Sequence, residues 1–153
     1  MSQLKARNIT IEYQSGKTAI QPIKDLNLEV SGGDLLFVIG VNGSGKSTLL
    51  RTLAGIQQPK SGEILWGDEI LKNIPLTQRP LKTAYMFSQY SRVEGMKVID
   101  LVSLGRHPYT GRFGKITSDD LDICLRSLEK VGLLAYAERN TTSLSDGEFK
   151  KAV

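Results

Sequence analysis

Cysteine is almost missing from this chain of 153 residues; Cys124 stands alone. That excludes an intrachain disulfide and a cysteine-built metal cluster, and it points to a reducing cytosol. Histidine is as scarce: His107 is the only one. It stands before Pro108 and reads as a surface residue. No apolar run approaches the ~20 residues of a membrane helix. The start, Met1-Ser2-Gln3-Leu4-Lys5, lacks the apolar core of a signal peptide. Any service to a membrane is therefore expected from the water side, through a partner. No long basic stripe accompanies the formal charge of +4, so nucleic acid is not an expected partner. Lys150-Lys151, and Arg112 with Lys115, read as solvated side chains. Internal repeats and low-complexity segments are absent too. What remains is an ordinary globular composition of a length that suggests about one domain, with a mild positive balance that fits an anionic ligand.

The most informative stretch present is Gly40-Val41-Asn42-Gly43-Ser44-Gly45-Lys46-Ser47-Thr48. It fits G-x-x-x-x-G-K-[ST] at every fixed position. An apolar run of strand length, Leu35 to Ile39, precedes it, and the good helix formers Leu49 to Ala54 follow. Glycines let the backbone close around phosphate oxygens. The loop amides and the helix N-terminus then face the anion. Lys46 suits the β- and γ-phosphates, and the Ser47 hydroxyl suits Mg²⁺. The alternative, a Gly-rich turn carrying a surface lysine, explains neither the preceding strand pattern nor the following helix pattern.

Alternation predicts strands over Leu4–Tyr13 and Ile23–Val30, with turns at 14–17 and 31–34. Leu35–Ile39 reads as a buried strand, Glu63–Asp68 as a hairpin strand containing a packed Trp66, and Thr83–Ser88 as a further strand. Past Gln89 the pattern turns helical. A short helix is expected over Lys97–Leu104, stopped by Gly105. A longer one is expected over Ser118–Val131, with Leu121, Cys124, Leu125, Leu128 and Val131 on one apolar face. Asp119 and Asp120 suit its start, and Gly132 its stop.

These residues resemble the ATP-binding-cassette (ABC) ATPases. The phosphate loop, a glutamine at Gln89 and Leu144-Ser145-Asp146-Gly147-Glu148 follow in that family's order and approximate spacing. The last segment resembles the signature L-S-G-G-Q. Leu104-Gly105-Arg106-His107-Pro108-Tyr109 looks like the corresponding region of importers of iron chelates, haem and vitamin B12. The resemblance implies an α/β fold: a P-loop core with an antiparallel β-subdomain, a helical insert and an incomplete parallel sheet. Residues 1–88 would form the β-subdomain and nucleotide core, and 89–153 the Q-loop, helical subdomain and signature. It also implies ATP and Mg²⁺ as cofactors, with Ser47 and Gln89 at the metal. Partners would be transmembrane permease subunits and a second copy joined head to tail, peripheral to the inner face of the cell membrane. Tyr13 is either a half-buried strand aromatic or, by its place in the family pattern, the ring that stacks on adenine. Ser145-x-x-Glu148 is a capping box and, by resemblance, a phosphate site for the second copy's ATP; both readings can hold. Asp146 departs from the family's glycine, and a carboxylate there repels a γ-phosphate unless it points away.

No apolar run ending in Asp-Glu occurs in 1–153, and Asp68-Glu69 lies before Gln89, out of place for one. The family's late histidine is not matched either. The sequence therefore reads as the first part of an ABC ATPase, and no turnover of ATP by these residues alone is expected. Its parallel sheet should leave edges exposed. Its last helix, from about Asp146, is short enough to fray without a partner. Rival readings are the ATPase of an exporter or soluble ABC protein and a non-catalytic nucleotide-binding fragment. A P-loop kinase is disfavoured by the order of the motifs.

Overall fold

The structure is a computed structural model that describes residues 3–16, 18–88, 90–111 and 113–153. Gln89 and Arg112 lie outside the described residues. The chain divides into two units, Met1–Tyr85 and Met86–Val153.

In the first unit, β1 (Gln3–Ser15), β2 (Thr18–Ser31), β3 (Ser61–Trp66) and β4 (Glu69–Ile70) form one sheet in the order β2-β1-β3-β4. Every pairing is antiparallel. Alternation on β1 buries Ile9 and Ile11 completely, against α1 residues Leu49 and Leu53 and against Ile64, Trp66, Leu71 and Ile74. Helix α1 spans Lys46–Leu53. The long hairpin is not regular. Register breaks at Ala6/Ile9, Ile9/Ile11 and Ile11/Tyr13 bend it, and Asn8 takes a φ of 49°. Gly62 answers that bulge on β3. At a φ of 84°, a Cβ on Gly62 would sit 2.4 Å from the Asn8 carbonyl oxygen, so only glycine fits. The turn at 31–34 forms as expected, closed by the Ser31 amide donating to the Asp34 carboxylate at 2.8 Å.

Two expected strands do not form. Leu35–Ile39 joins no ladder, and Leu35, Phe37 and Ile39 are 80%, 72% and 91% exposed. Only Val38 packs on the core. A central parallel strand is apolar on both faces and needs strands along both edges; among the described residues none lies beside this one. The run 83–88 likewise carries no strand hydrogen-bonding pattern. The hairpin strand expected at Glu63–Asp68 begins two residues earlier and ends at Trp66, because Gly67, at a φ of 62°, turns the chain into β4.

The second unit holds α2 (Val98–Ser103), α3 (Ser118–Lys130) and α4 (Asp146–Ala152). Gly105 does not stop α2 as expected; the chain tightens into a 3-10 turn over Leu104–Tyr109. Thr117 caps α3, and Asp120 returns a bond to the Thr117 amide at 3.1 Å. Gly132 ends α3 as expected, at a φ of 74°. Its amide donates to Glu129, and that of Leu133 to Leu128 at 2.8 Å, with both leucines buried. The apolar face of α3 is narrower than its periodicity suggests. Cys124 and Leu128 are buried, while Leu121, Leu125 and Val131 stay open. Helix α4 is not a frayed end. Phe149 and Ala152 join Val98, Leu128, Leu133, Ala137 and Leu144 in one core, which supplies the stability a helix this short lacks.

Candidate functional site

Residues 40–45 form the turn into α1. Gly43 and Gly45 take φ of 82° and 89°, open to glycine and costly for other residues. Gly45 also lets β2 approach: a Cβ there would lie 2.8 Å from Pro22 Cγ. Pro22 in turn sits at the register break between Ile23 and Ile20, where no ladder amide is needed. A proline inside a strand pattern is a sequence signal for such a bulge, and Pro22 carries it.

The first intrahelical bond of α1 runs from the Leu49 amide to the Gly45 carbonyl at 2.8 Å. The amides of Lys46, Ser47 and Thr48 thus precede any helical acceptor, no side chain caps them, and the first turn holds no acid. This is the positive end of the helix dipole. The Lys46 ammonium donates to the carbonyls of Gly40 and Val41, each at 2.7 Å, and keeps a further N–H for a ligand. Gly40, Val41 and Ser44 back the loop, with the Ser44 amide donating to Val41 at 3.3 Å.

Tyr13 and residues 42–43 and 45–48 line a cleft of about 270 Å³. Tyr13 is half-buried, opposite Ile20 in the hairpin and beside the Pro22 bulge, so the irregular register carries its ring to the loop. The two features that the sequence separates by some thirty residues thus meet in one cavity. Among the described residues no carboxylate lines it, which suits an anion. Among the described residues, no cluster of His, Cys, Asp or Glu could hold a metal ion. The Ser47 hydroxyl belongs to a residue lining the same cleft.

The Leu144–Glu148 segment lies in the second unit. The Ser145 hydroxyl accepts from the Glu148 amide at 3.3 Å, and Glu148 accepts from the Ser145 amide and hydroxyl, both at 2.8 Å. Those bonds, the amide first, hold the Glu148 carboxyl below its ordinary range, with smaller help from the Tyr136 hydroxyl and the Arg139 charge. Asp146 pairs with Arg92. Cys124 and Trp66 are buried and His107 is exposed, as expected.

Residues 23–153 match the family model for ABC transporters. The chain belongs to the ABC transporter family. It is 32% identical over 152 residues to the probable siderophore transport system ATP-binding protein YusV of Bacillus subtilis, a match covering 99% of this chain and 54% of that protein. Against the phosphonates import ATP-binding protein PhnC of Treponema denticola it is 32% identical over 155 residues, covering 97% of this chain and 59% of that one. A solved inward-facing structure of a putative metal-chelate type ABC transporter aligns with a TM-score of 0.71 and 29% identity, over 99% of this chain and 54% of that one. The fold is thus part of the ABC ATPase fold, and this ABC family chain spans about half the length of the curated relatives it matches. No helix among the described residues is long and apolar enough to cross a membrane.

Proposed function

We propose that this chain forms the ATP-binding, energy-coupling part of a bacterial importer, with an iron chelate (siderophore), haem or cobalamin as cargo. The cleft that joins Tyr13 to the free amides and ammonium of the phosphate loop carries the nucleotide half of this reading. The siderophore-transport relative and the metal-chelate structure support the cargo half.

In this reading the Tyr13 ring stacks on adenine. Residues Gly40 to Thr48 wrap the phosphates, with Lys46 offsetting charge at the β- and γ-groups. The Ser47 hydroxyl would ligate Mg²⁺ brought by the nucleotide, and Gln89, which lies outside the described residues, would by the order of the motifs serve the metal or the attacking water. Bound Mg-ATP supplies the phosphoryl group whose transfer drives transport. Ser145, Asp146, Gly147 and Glu148 complete the ATP pocket of a second copy, head to tail, and permease subunits place the pair at the inner face of the membrane. Residues 1–153 contain no Asp-Glu pair ending an apolar strand. They are therefore expected to bind ATP without turning it over.

Titration calorimetry with and without Mg²⁺ tests the site. Lys46→Ala removes a charge-assisted contact of about 1.5–3 kcal/mol and should weaken binding about ten- to a hundredfold. Unchanged affinity would refute the assignment. Lys46-dependent phosphate release by these residues alone would refute the division of labour. The equally similar phosphonate-import relative favours a second reading that differs only in cargo. Uptake assays with a ferric siderophore and with a phosphonate, in cells lacking the gene, separate the two.

A further inference from the structure

Two carboxylates stand in the signature segment where L-S-G-G-Q has neutral residues: Asp146 for glycine and Glu148 for glutamine. Glu148 is engaged by its own capping box. Asp146 has no such local partner; it is 94% exposed on α4 and is met by Arg92, from far earlier in the chain. The Arg92 side chain is itself mostly covered. It lies over the Phe149 ring, 5.2 Å from the centroid. One of its nitrogens donates to the Leu144 carbonyl at 2.7 Å, and the other to Asp146. Phe149 is buried in the core of this unit, and the Tyr90 ring packs edge-on against it at 6.2 Å. Val93 and Met96 hold Thr141 through its hydroxyl and amide, at 3.1 and 2.8 Å. The guanidinium is therefore positioned before any ligand arrives. Its planar fork spans a backbone carbonyl and a carboxylate in one fixed plane, a geometry that the compact ammonium of a lysine does not preset. An exposed ion pair contributes little to stability, so stability does not account for the Arg92–Asp146 bond, whatever the contacts to Phe149 and Leu144 contribute.

We propose that Arg92 is a positioning residue for the signature segment: it cancels and holds aside the Asp146 carboxylate and fixes the Leu144 carbonyl, so that Ser145 and Gly147 meet a second copy's γ-phosphate without an opposing charge. This rests on the nucleotide reading above. It gives the acid at position 146 a cost only when Arg92 is absent.

The test uses the full chain with Arg92→Ala, Arg92→Lys, and Arg92→Ala combined with Asp146→Gly. Hydrogen exchange at residues 145–148 is read without nucleotide, and self-association with Mg-ATP by sedimentation. Arg92→Ala should speed exchange there about tenfold, a local opening. It should also weaken ATP-dependent pairing on the order of tenfold, as an uncompensated like charge does. Arg92→Lys should keep part of the pairing and lose the protection. Adding Asp146→Gly to Arg92→Ala should recover most of the pairing but not the exchange protection, a result that packing alone would not produce. Equal loss of pairing with and without Asp146→Gly would overturn the proposal, as would unchanged pairing in Arg92→Ala. If the unsubstituted chain does not pair in ATP, the nucleotide reading fails. Faster exchange in Arg92→Ala would then still support positioning, and unchanged exchange would sink both.

Discussion

The Trp66 indole N–H donates to the Leu53 carbonyl at 3.1 Å, tying β3 to the last turn of the helix that the phosphate loop opens. Trp66 is buried, and that carbonyl belongs to the helix end, where acceptors lack amide partners. Trp66→Phe keeps most of the packing and loses the donor. It should cost about 1–3 kcal/mol of unfolding free energy, the penalty of a buried group left unsatisfied. Urea denaturation reads this as a lower midpoint at constant slope; an unchanged midpoint would show that water replaces the indole.

Tyr13 separates stacking from packing. Tyr13→Ala should weaken ATP binding by about 0.5–1.5 kcal/mol beyond area loss, while Tyr13→Phe and Tyr13→Trp retain it. Calorimetry with ATP and with inorganic triphosphate discriminates further, since only the adenine ligand should sense the ring. Equal losses for Phe and Ala would assign the hydroxyl instead.

Gly62→Ala should destabilise the first unit by at least about 2 kcal/mol, from the left-handed backbone and a contact with the Asn8 carbonyl that cannot relax cheaply. Gly67→Ala shares the positive φ but meets nothing within 4 Å, and should cost less. A reversed order of thermal midpoints would mean that the bulge at Asn8 moves freely.

Asp120 sets a pH dependence in the second unit. The Thr117 hydroxyl and amide, then the Arg106 guanidinium at 2.9 Å, hold its carboxyl below the ordinary 3.8. A depressed carboxyl contributes stability that is complete above its unfolded value and is lost as pH falls through the folded one. The stability gap between the unsubstituted chain and Asp120→Asn should be flat above about pH 5 and close below pH 3.8. Denaturation curves across that range measure it; a gap that stays constant to low pH would show that the carboxyl charge is not what these bonds favour.

Much of this ABC family chain is local and therefore legible in its sequence. The phosphate loop, the Ser145 capping box and the Gly132 stop each depend on residues within a few positions of one another, whose allowed torsions and donor counts are set by residue type. What the sequence left open was decided by contacts between distant segments. Arg79 donates to the carbonyls of Gly55, Leu71 and Ile74, Arg92 meets Asp146, and Tyr13 reaches the phosphate loop through a hairpin bent at Pro22. The same dependence explains why α4 and Leu35–Ile39 depart from expectation. Helix α4 is too short to persist by propensity, yet Phe149 finds a core. Leu35–Ile39 has the composition of a buried strand, yet among the described residues it has no neighbouring strand to bond. A cap or turn completes its hydrogen bonds from its own residues, whereas a strand or a buried side chain is stabilised only by whatever the rest of the fold places against it.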